Sequence, residues 1–404
     1  MSDTRGMRAW RAVWLVAVVA VACTSTEPVT GGAELEQRRH AGAGSSSLPS
    51  GRTGYRTYAE VGSDLGELAT VRSDVVSRLA LPHRTVLGVD VVGVEITHDV
   101  GKLDGKPVFV VLGAHDASDW ASAEVAVEFA TDLAEQDGRD PRVTALLDRV
   151  RVAVVPVVNP DGFQLSRAGT VSGKRGNCRV DFPASQSCAT SPDVGVDLDR
   201  NYGVGWEAGD HRGAGAFSEP ETRNVRELVA GRQVTVFATL RTGAGTVLRP
   251  SADAPSTAVG QALADAGGWT SAVSEVGGSA TGWVHGTTGG LAFDVEPRAG
   301  EYLDQYRGGA REALLRAGEA AGDRRYHSVV SGVAPAGARV TVRNASGVRS
   351  SLVTTGAFEW EVNPAEAWTL DCGTENEVLQ SAEVSVGRGE RVSVDLGQCS
   401  RSWG

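Results

Sequence analysis

Four largely apolar runs limit the folds open to this chain more than any other feature. They are "KPVFVVLG", "VRVAVVPVVNPDG", "VTVFATLR" and "GLAFDVEP". A strand with one wet face alternates apolar and polar residues; a run without that alternation is covered on both faces. Helical patterns lie between and around the runs: "YAEVGSDLGELATVRSDVVSRL", "SAEVAVEFATDLAEQ" and "EYLDQYRGGAREALLRAGEAAG". Strands alternating with helices predict an α/β domain over 55–322, built on a mostly parallel mixed sheet with helices on both faces. From 326 to 404 the pattern changes to period two with Gly and Pro turns, as in "VSGVAPAGARVTVRNASG" and "AEVSVGRGERVSVDLG". No helical spacing remains there, so a small all-β sandwich domain follows.

The first 22 residues read as an export signal. Arg5, Arg8 and Arg11 precede "AVWLVAVVAVA", an apolar core of 11 residues, too short to span a bilayer. Ala20 and Ala22 form an A-x-A cleavage site. Cys23 follows and completes a lipoprotein-type box, with Ala20 where Leu is usual. The expected product is exported, either free outside the cell or lipid-anchored through Cys23 on the outer face of the membrane. Residues 23–54 are rich in Gly, Ser, Thr and Pro and read as a flexible tether. The chain has five Cys. Setting Cys23 aside leaves two local pairs, so disulfides Cys178–Cys188 and Cys372–Cys399 are expected, in keeping with an oxidising compartment.

The net charge of −11 argues against nucleic acid as a partner, because phosphate binding needs a basic footprint. In open α/β sheets, sites gather beyond the carboxyl ends of the strands. Those ends carry Asp116, Asp119, Asn159, Asp161, Arg241 and Glu296, and the loop "GVDLDRNYGVGW" adds Arg200. Carboxylates mixed with guanidinium groups can hydrolyse, recognise a carboxylate, or form a structural ion-pair network. The residues alone leave these three open.

Five stretches then carry a resemblance: "GYRTYAEV", "VVPVVNPDGFQLSR", "GVDLDRNYGVGW", "GAGAFSEPETRNV" and "GLAFDVEPR". Their order and spacing resemble the zinc carboxypeptidases of the carboxypeptidase A type. The resemblance implies that family's fold and a zinc held by two His and one Glu. It also implies a Glu as general base and Arg residues that hold the C-terminal carboxylate of a peptide. Two His and one carboxylate leave a position open for water, as a catalytic zinc requires.

Aligned with that pattern, Trp120 and the helix after it fit without a gap. The H-x-x-E places then fall on Asp116 and Asp119, with His115 one residue out of register. The second His place, at the end of "VTVFATLR", falls on Arg241, whose guanidinium has no lone pair for a metal. Glu296 stands at the general-base place. Arg200 matches a carboxylate-binding Arg, and Arg175 lies near a second. Asp199 replaces the usual Asn beside Arg200, where its charge would repel a substrate carboxylate. Ser118 and Ser274 replace a further Arg and a mobile Tyr.

Three readings follow. The chain is an inactive pseudo-carboxypeptidase serving as a binding or scaffold domain, with no cofactor. Alternatively, it is a working metallocarboxypeptidase with an unusual zinc ligand set. Or it is another hydrolase using Asp116, Asp119 and Glu296. The expected partner is a peptide or protein C-terminus. In the first reading Asp116, Asp119 and Glu296 converge on one pocket, and Arg241 takes the place of the zinc, forking onto one of these carboxylates and reaching a second.

Overall fold

A computed structural model describes residues 46–180, 187–274, 276–300 and 302–399. The segment read as an export signal, the expected lipidation site Cys23 and most of the expected tether lie outside the described residues. The last part of that tether belongs to the folded unit instead. Leu48 is buried in the main core, and Ser50 donates through Oγ to Glu128 Oε1 at 2.5 Å.

The first domain is an eight-stranded mixed sheet with helices on both faces. Helix α1 (Tyr58–Val71) opens it, with Thr57 and Glu60 forming a reciprocal capping box. The helical spacing seen through Leu79 stops at Val71. The β-branched pair Val75 and Val76 then leads into strand β1 (Val76–Ala80). Strands β2 (Val92–Ile96), β3 (Val108–Leu112), β4 (Arg151–Val155), β5 (Val234–Leu240), β6 (Thr246–Arg249), β7 (Thr270–Val273) and β8 (Leu291–Glu296) complete the sheet. Their order is β1-β2-β4-β3-β5-β8-β6-β7. The central strands β4, β3, β5 and β8 are mutually parallel. They are the four apolar runs of the sequence, and β3 shows why the runs are unbroken. It sends Phe109 and Val111 into one core, and Val108, Val110 and Leu112 into the other.

Further helices cover the faces: α2 (Trp120–Gln136), α3 (Pro141–Arg149), α4 (Pro160–Arg167), α5 (Pro220–Ala230), α6 (Ala254–Gly267) and α7 (Ala280–Thr288). The short α8 (Tyr302–Gln305) leads through a π-turn to α9 (Arg311–Ala321). Helix α2 is buried almost all round, including Glu124, Glu128 and Asp132. Buried carboxylates need partners. Arg56, only 1% exposed, supplies a guanidinium to Glu124 and Glu128 and a third contact, 2.8 Å, to Asp64.

The second domain packs two sheets. One orders strands β11 (Arg349–Val353), β10 (Arg339–Asn344), β13 (Ala365–Gly373) and β14 (Val378–Val386). The other orders β12 (Ala357–Val362), β9 (Ser328–Val333) and β15 (Arg391–Asp395). All pairs are antiparallel except β9 with β15. Trp360 and Trp368 fill the core between the sheets. Both disulfides are present: Cys178–Cys188 (Cα–Cα 5.2 Å) and Cys372–Cys399 (5.9 Å). The domains are joined by Arg324, paired with Glu359 and Glu361, and by Asn363 Nδ2, which donates to the Val234 carbonyl at 2.7 Å.

Candidate functional site

Because β3, β5 and β8 run parallel, their carboxyl ends open on one edge. Three segments meet there: the loop 113–119, the turn after Leu240, and Glu296. Arg241 N donates to the Val295 carbonyl at 3.1 Å, and Gly243 N to the Pro297 carbonyl at 2.9 Å, which lock the last two together. The fit at Gly243 is close. A Cβ there would sit 2.7 Å from the Cβ of Glu296, so only glycine is accommodated without a shift.

The residues at the ligand places are brought to this edge, but each is engaged separately. Asp116 accepts from Arg175 Nε at 2.7 Å and from Ser118 N and Oγ at 2.8 and 2.6 Å. Asp119 caps α2 through Ser122 N and receives Thr242 N and Thr242 Oγ1, both at 2.7 Å. Burial pushes its carboxyl above the usual range, and the Thr242 bonds oppose that shift. His115 is buried behind the edge, 2.9 Å from the Tyr202 hydroxyl. Burial and the nearby Arg241 charge push it down to about 3, so it is neutral.

Arg241 corrects the sequence-based expectation. It forks onto none of Asp116, Asp119 and Glu296. Its Nη2 binds Asp199 Oδ2, and its Nε lies 3.8 Å from Asp294 Oδ1. Asp199 was expected beside a substrate carboxylate. It faces Arg241 instead and accepts from the first N–H of α7, Ala280 N, at 3.1 Å. Asp294 was missed. It is buried in β8, bound by the hydroxyls of Thr239 and Thr281. A lone Asp inside "LAFDVE" was the available signal, since a buried carboxylate requires partners.

Glu296 has no hydrogen bond or ion pair to its carboxylate among the described residues. Burial raises its pKa, with Asp294 and Asp119 adding to the rise and Arg241 opposing it. Arg175 and Arg200 line a neighbouring cleft of about 270 Å³ with Asp193, Asp197, Asp210 and His211. Arg200 Nε stands 3.6 Å from Asp197 Oδ2. Asp161 and Asn159 are directed elsewhere. Asp161 accepts from Thr85 Oγ1 and Leu87 N, while Asn159 caps α4 and holds the carbonyls of His115 and Arg175.

The donor set does not fit a zinc ion. Arg241 has no lone pair, Asp119 is spent on the turn at Thr242, Asp116 is paired with Arg175, and His115 is turned to Tyr202. Among the described residues no group of three His, Cys, Asp or Glu side chains is placed to hold a metal.

The sheet order and the edge site define an α/β protein of the carboxypeptidase type. Among solved structures, a carboxypeptidase A from Helicoverpa armigera superposes with a TM-score of 0.59 at 19% identity, covering 72% of this chain and 79% of that one. A structure of thrombin activatable fibrinolysis inhibitor gives the same TM-score and coverages at 17% identity. At these identities the likeness is one of fold. The family model for zinc carboxypeptidase matches residues 63–312, more than half of the chain, and the chain belongs to that family. Mast cell carboxypeptidase A of Mus musculus is 29% identical over 141 residues, 32% of each chain. Bovine carboxypeptidase A1 is 28% identical over 182 residues, 45% of this chain and 39% of that one. An inactive metallocarboxypeptidase of Talaromyces marneffei is 29% identical over 131 residues, 30% of this chain and 20% of that one. These alignments span well under half of each relative.

Proposed function

We propose that this chain is a pseudo-carboxypeptidase: a zinc carboxypeptidase fold that binds rather than hydrolyses, working outside the cytoplasm. The observation that carries the reading is Arg241. A permanent cation stands at a ligand place and is neutralised by Asp199 and Asp294. Without a Lewis acid, Glu296 has no activated water to deprotonate, whatever its pKa. The two disulfides support an oxidising compartment, and lipid anchoring through Cys23 is part of the same proposal.

The ligand proposed is a peptide or protein C-terminus. Arg200 and Arg175 put two guanidinium groups beside one cleft, and a guanidinium forks onto a carboxylate. Pairing with Arg241 removes the repulsion that Asp199 alone would exert. The test is calorimetry with short peptides and their C-terminal amides, run beside a hydrolysis assay with added zinc. Binding of the free acid, loss of binding by the amide and no release of the terminal residue support the proposal. Release of that residue would establish the alternative, a working metallocarboxypeptidase with unusual ligands, which the unpartnered Glu296 favours. Equal heats for acid and amide would remove the C-terminus as ligand.

A further inference from the structure

A second cleft, of about 480 Å³, lies between the two domains and away from the strand-end site. Its lining comes from the loop 101–106, the start of β4, the turn before β5, and strands β10 and β11. The two domains are in register here. Val353 N donates to the Leu103 carbonyl at 2.9 Å, and Asp104 bridges Leu352, so the loop extends the edge of β11.

Six cationic side chains line the cleft: Lys102, Lys106, Arg151 and Arg232 from the first domain, Arg339 and Arg349 from the second; the Lys106 ammonium is already held by Thr97 Oγ1 and the His98 and Leu147 carbonyls. Two of the three lysines in the chain are among them. Only Glu95 and Asp104 oppose them in the lining, and both are shared. Glu95 accepts from Arg151 at 2.6 Å and Arg232 at 3.1 Å. Asp104 accepts from Arg151 at 3.1 Å and has Lys106 at 3.5 Å. Asp99, 2.6 Å from Lys102, and Glu375, 3.9 Å from Arg339, reduce the positive surplus without cancelling it.

Arg349 is the sharpest sign. It stands directly across from Arg343 in the β10–β11 ladder, and like charges at that register destabilise a sheet. Arg343 has Asp371 at 2.9 Å; Arg349 has no ion pair within 4 Å among the described residues and shares the field of that same Asp371 at longer range. A chain of net charge −11 thus concentrates cations in one concave place built by two domains.

We propose that this interdomain cleft binds clustered phosphate groups, on a short soluble polyphosphate or on an anionic lipid headgroup layer. The cations spread over both walls, so a ligand with several charges gains more than a single ion does. Occupation would also relieve the Arg343–Arg349 repulsion and hold the domains together.

The test uses the full chain with three probes: tripolyphosphate, orthophosphate, and phosphatidylglycerol vesicles, at low and high salt. Arg339→Ala/Arg349→Ala is compared with Arg84→Ala/Arg325→Ala, a control at exposed sites elsewhere, after matched melting temperatures confirm folding. The expected result is that tripolyphosphate or the vesicles bind at least about tenfold more tightly than orthophosphate. That binding weakens at high salt, falls about tenfold or more in Arg339→Ala/Arg349→Ala, and is unchanged in the control. Binding of tripolyphosphate assigns a soluble phosphate chain; binding of vesicles alone assigns the headgroup layer. Absence of binding by every probe, or equal binding by both variants, overturns the proposal.

Discussion

Arg241 Nη2 binds Asp199 Oδ2, so the residue that the sequence alignment sets at the family's second His place meets the residue it sets at the Asn place of the carboxylate-binding pair. Each departure would be unfavourable alone: an uncompensated cation at a strand end, or a mostly buried carboxylate without a counter-charge. Together they form one ion pair that ties the end of β5 to the short helical turn Leu198–Arg200. Where the family's metal would join the loop 113–119 to the end of β5, the guanidinium joins the end of β5 to the Asp199 turn and to β8.

Removing Arg241 should therefore cost stability. Asp199 and Asp294 side chains are only 10% and 12% exposed, while Arg241 is 37% exposed, which reduces the loss through solvent screening. Arg241→Ala should lose about 2–3 kcal/mol in urea unfolding. Adding Asp199→Asn should recover part of that loss, giving a coupling energy in a double-mutant cycle. A zero coupling would show that the pair does not hold the site.

Arg56 should be more sensitive. It and its partners Glu124 and Glu128 are at most 1% exposed, so deletion leaves buried carboxylates with no cation. Arg56→Ala should cost about 3–5 kcal/mol. Arg56→Lys should not rescue it fully, because a point charge cannot serve Asp64, Glu124 and Glu128 through one fork. Urea midpoints of both variants check this.

Two histidines should give opposite pH signatures. Burial pulls His98 down, but bonds to Asp148 and Asp137 outweigh it and leave its pKa raised. Its stabilisation is then full below the unfolded pKa of about 6.5 and is lost as pH rises through the higher folded value. Burial lowers His327 to about 4, with its Nε2–H donating to the Ala320 carbonyl at 2.8 Å. In the window from about 6.5 down to 4 the unfolded chain takes up a proton that the folded chain refuses, so stability falls as pH falls. His98→Gln should thus cost more at about pH 5.5 than at about pH 8, and His327→Gln less at about pH 5 than at about pH 8. Unfolding free energies across that range measure both.

The disulfides should matter in both domains. Cys178–Cys188 closes 10 residues and Cys372–Cys399 closes 27. In the chain-entropy model these loops contribute about 2.5–3 and about 3.5 kcal/mol. Replacing Cys372 and Cys399 with Ser should lower the second domain's melting temperature more than the first's, by calorimetry.

Much of this was legible before the structure. The unbroken apolar runs gave β3, β4, β5 and β8, because strands with two covered faces have no wet side to mark. The edge strands β1, β2, β6 and β7 were hidden. They are four or five residues long and partly exposed, so their pattern merges with neighbouring helix or loop signals. In the site, spacing placed Asp116, Asp119, Arg241 and Glu296 at one edge. It could not give the partners, which depend on where loops fold back. Asp199 is 42 residues from Arg241 in sequence and Arg175 is 59 from Asp116, separations at which periodicity carries no information. Arg56 was read as part of a motif, and only α2 burying Glu124 and Glu128 reveals its charge-balancing role.

The most direct test of the central claim, that an ion pair stands where the family holds zinc, is thermal melting of the wild-type protein with and without zinc and with a chelator, alongside its metal content. The account predicts less than stoichiometric zinc after dialysis against trace zinc, and one melting temperature in all three conditions. A stoichiometric zinc ion and a melting temperature that drops with chelator would contradict it.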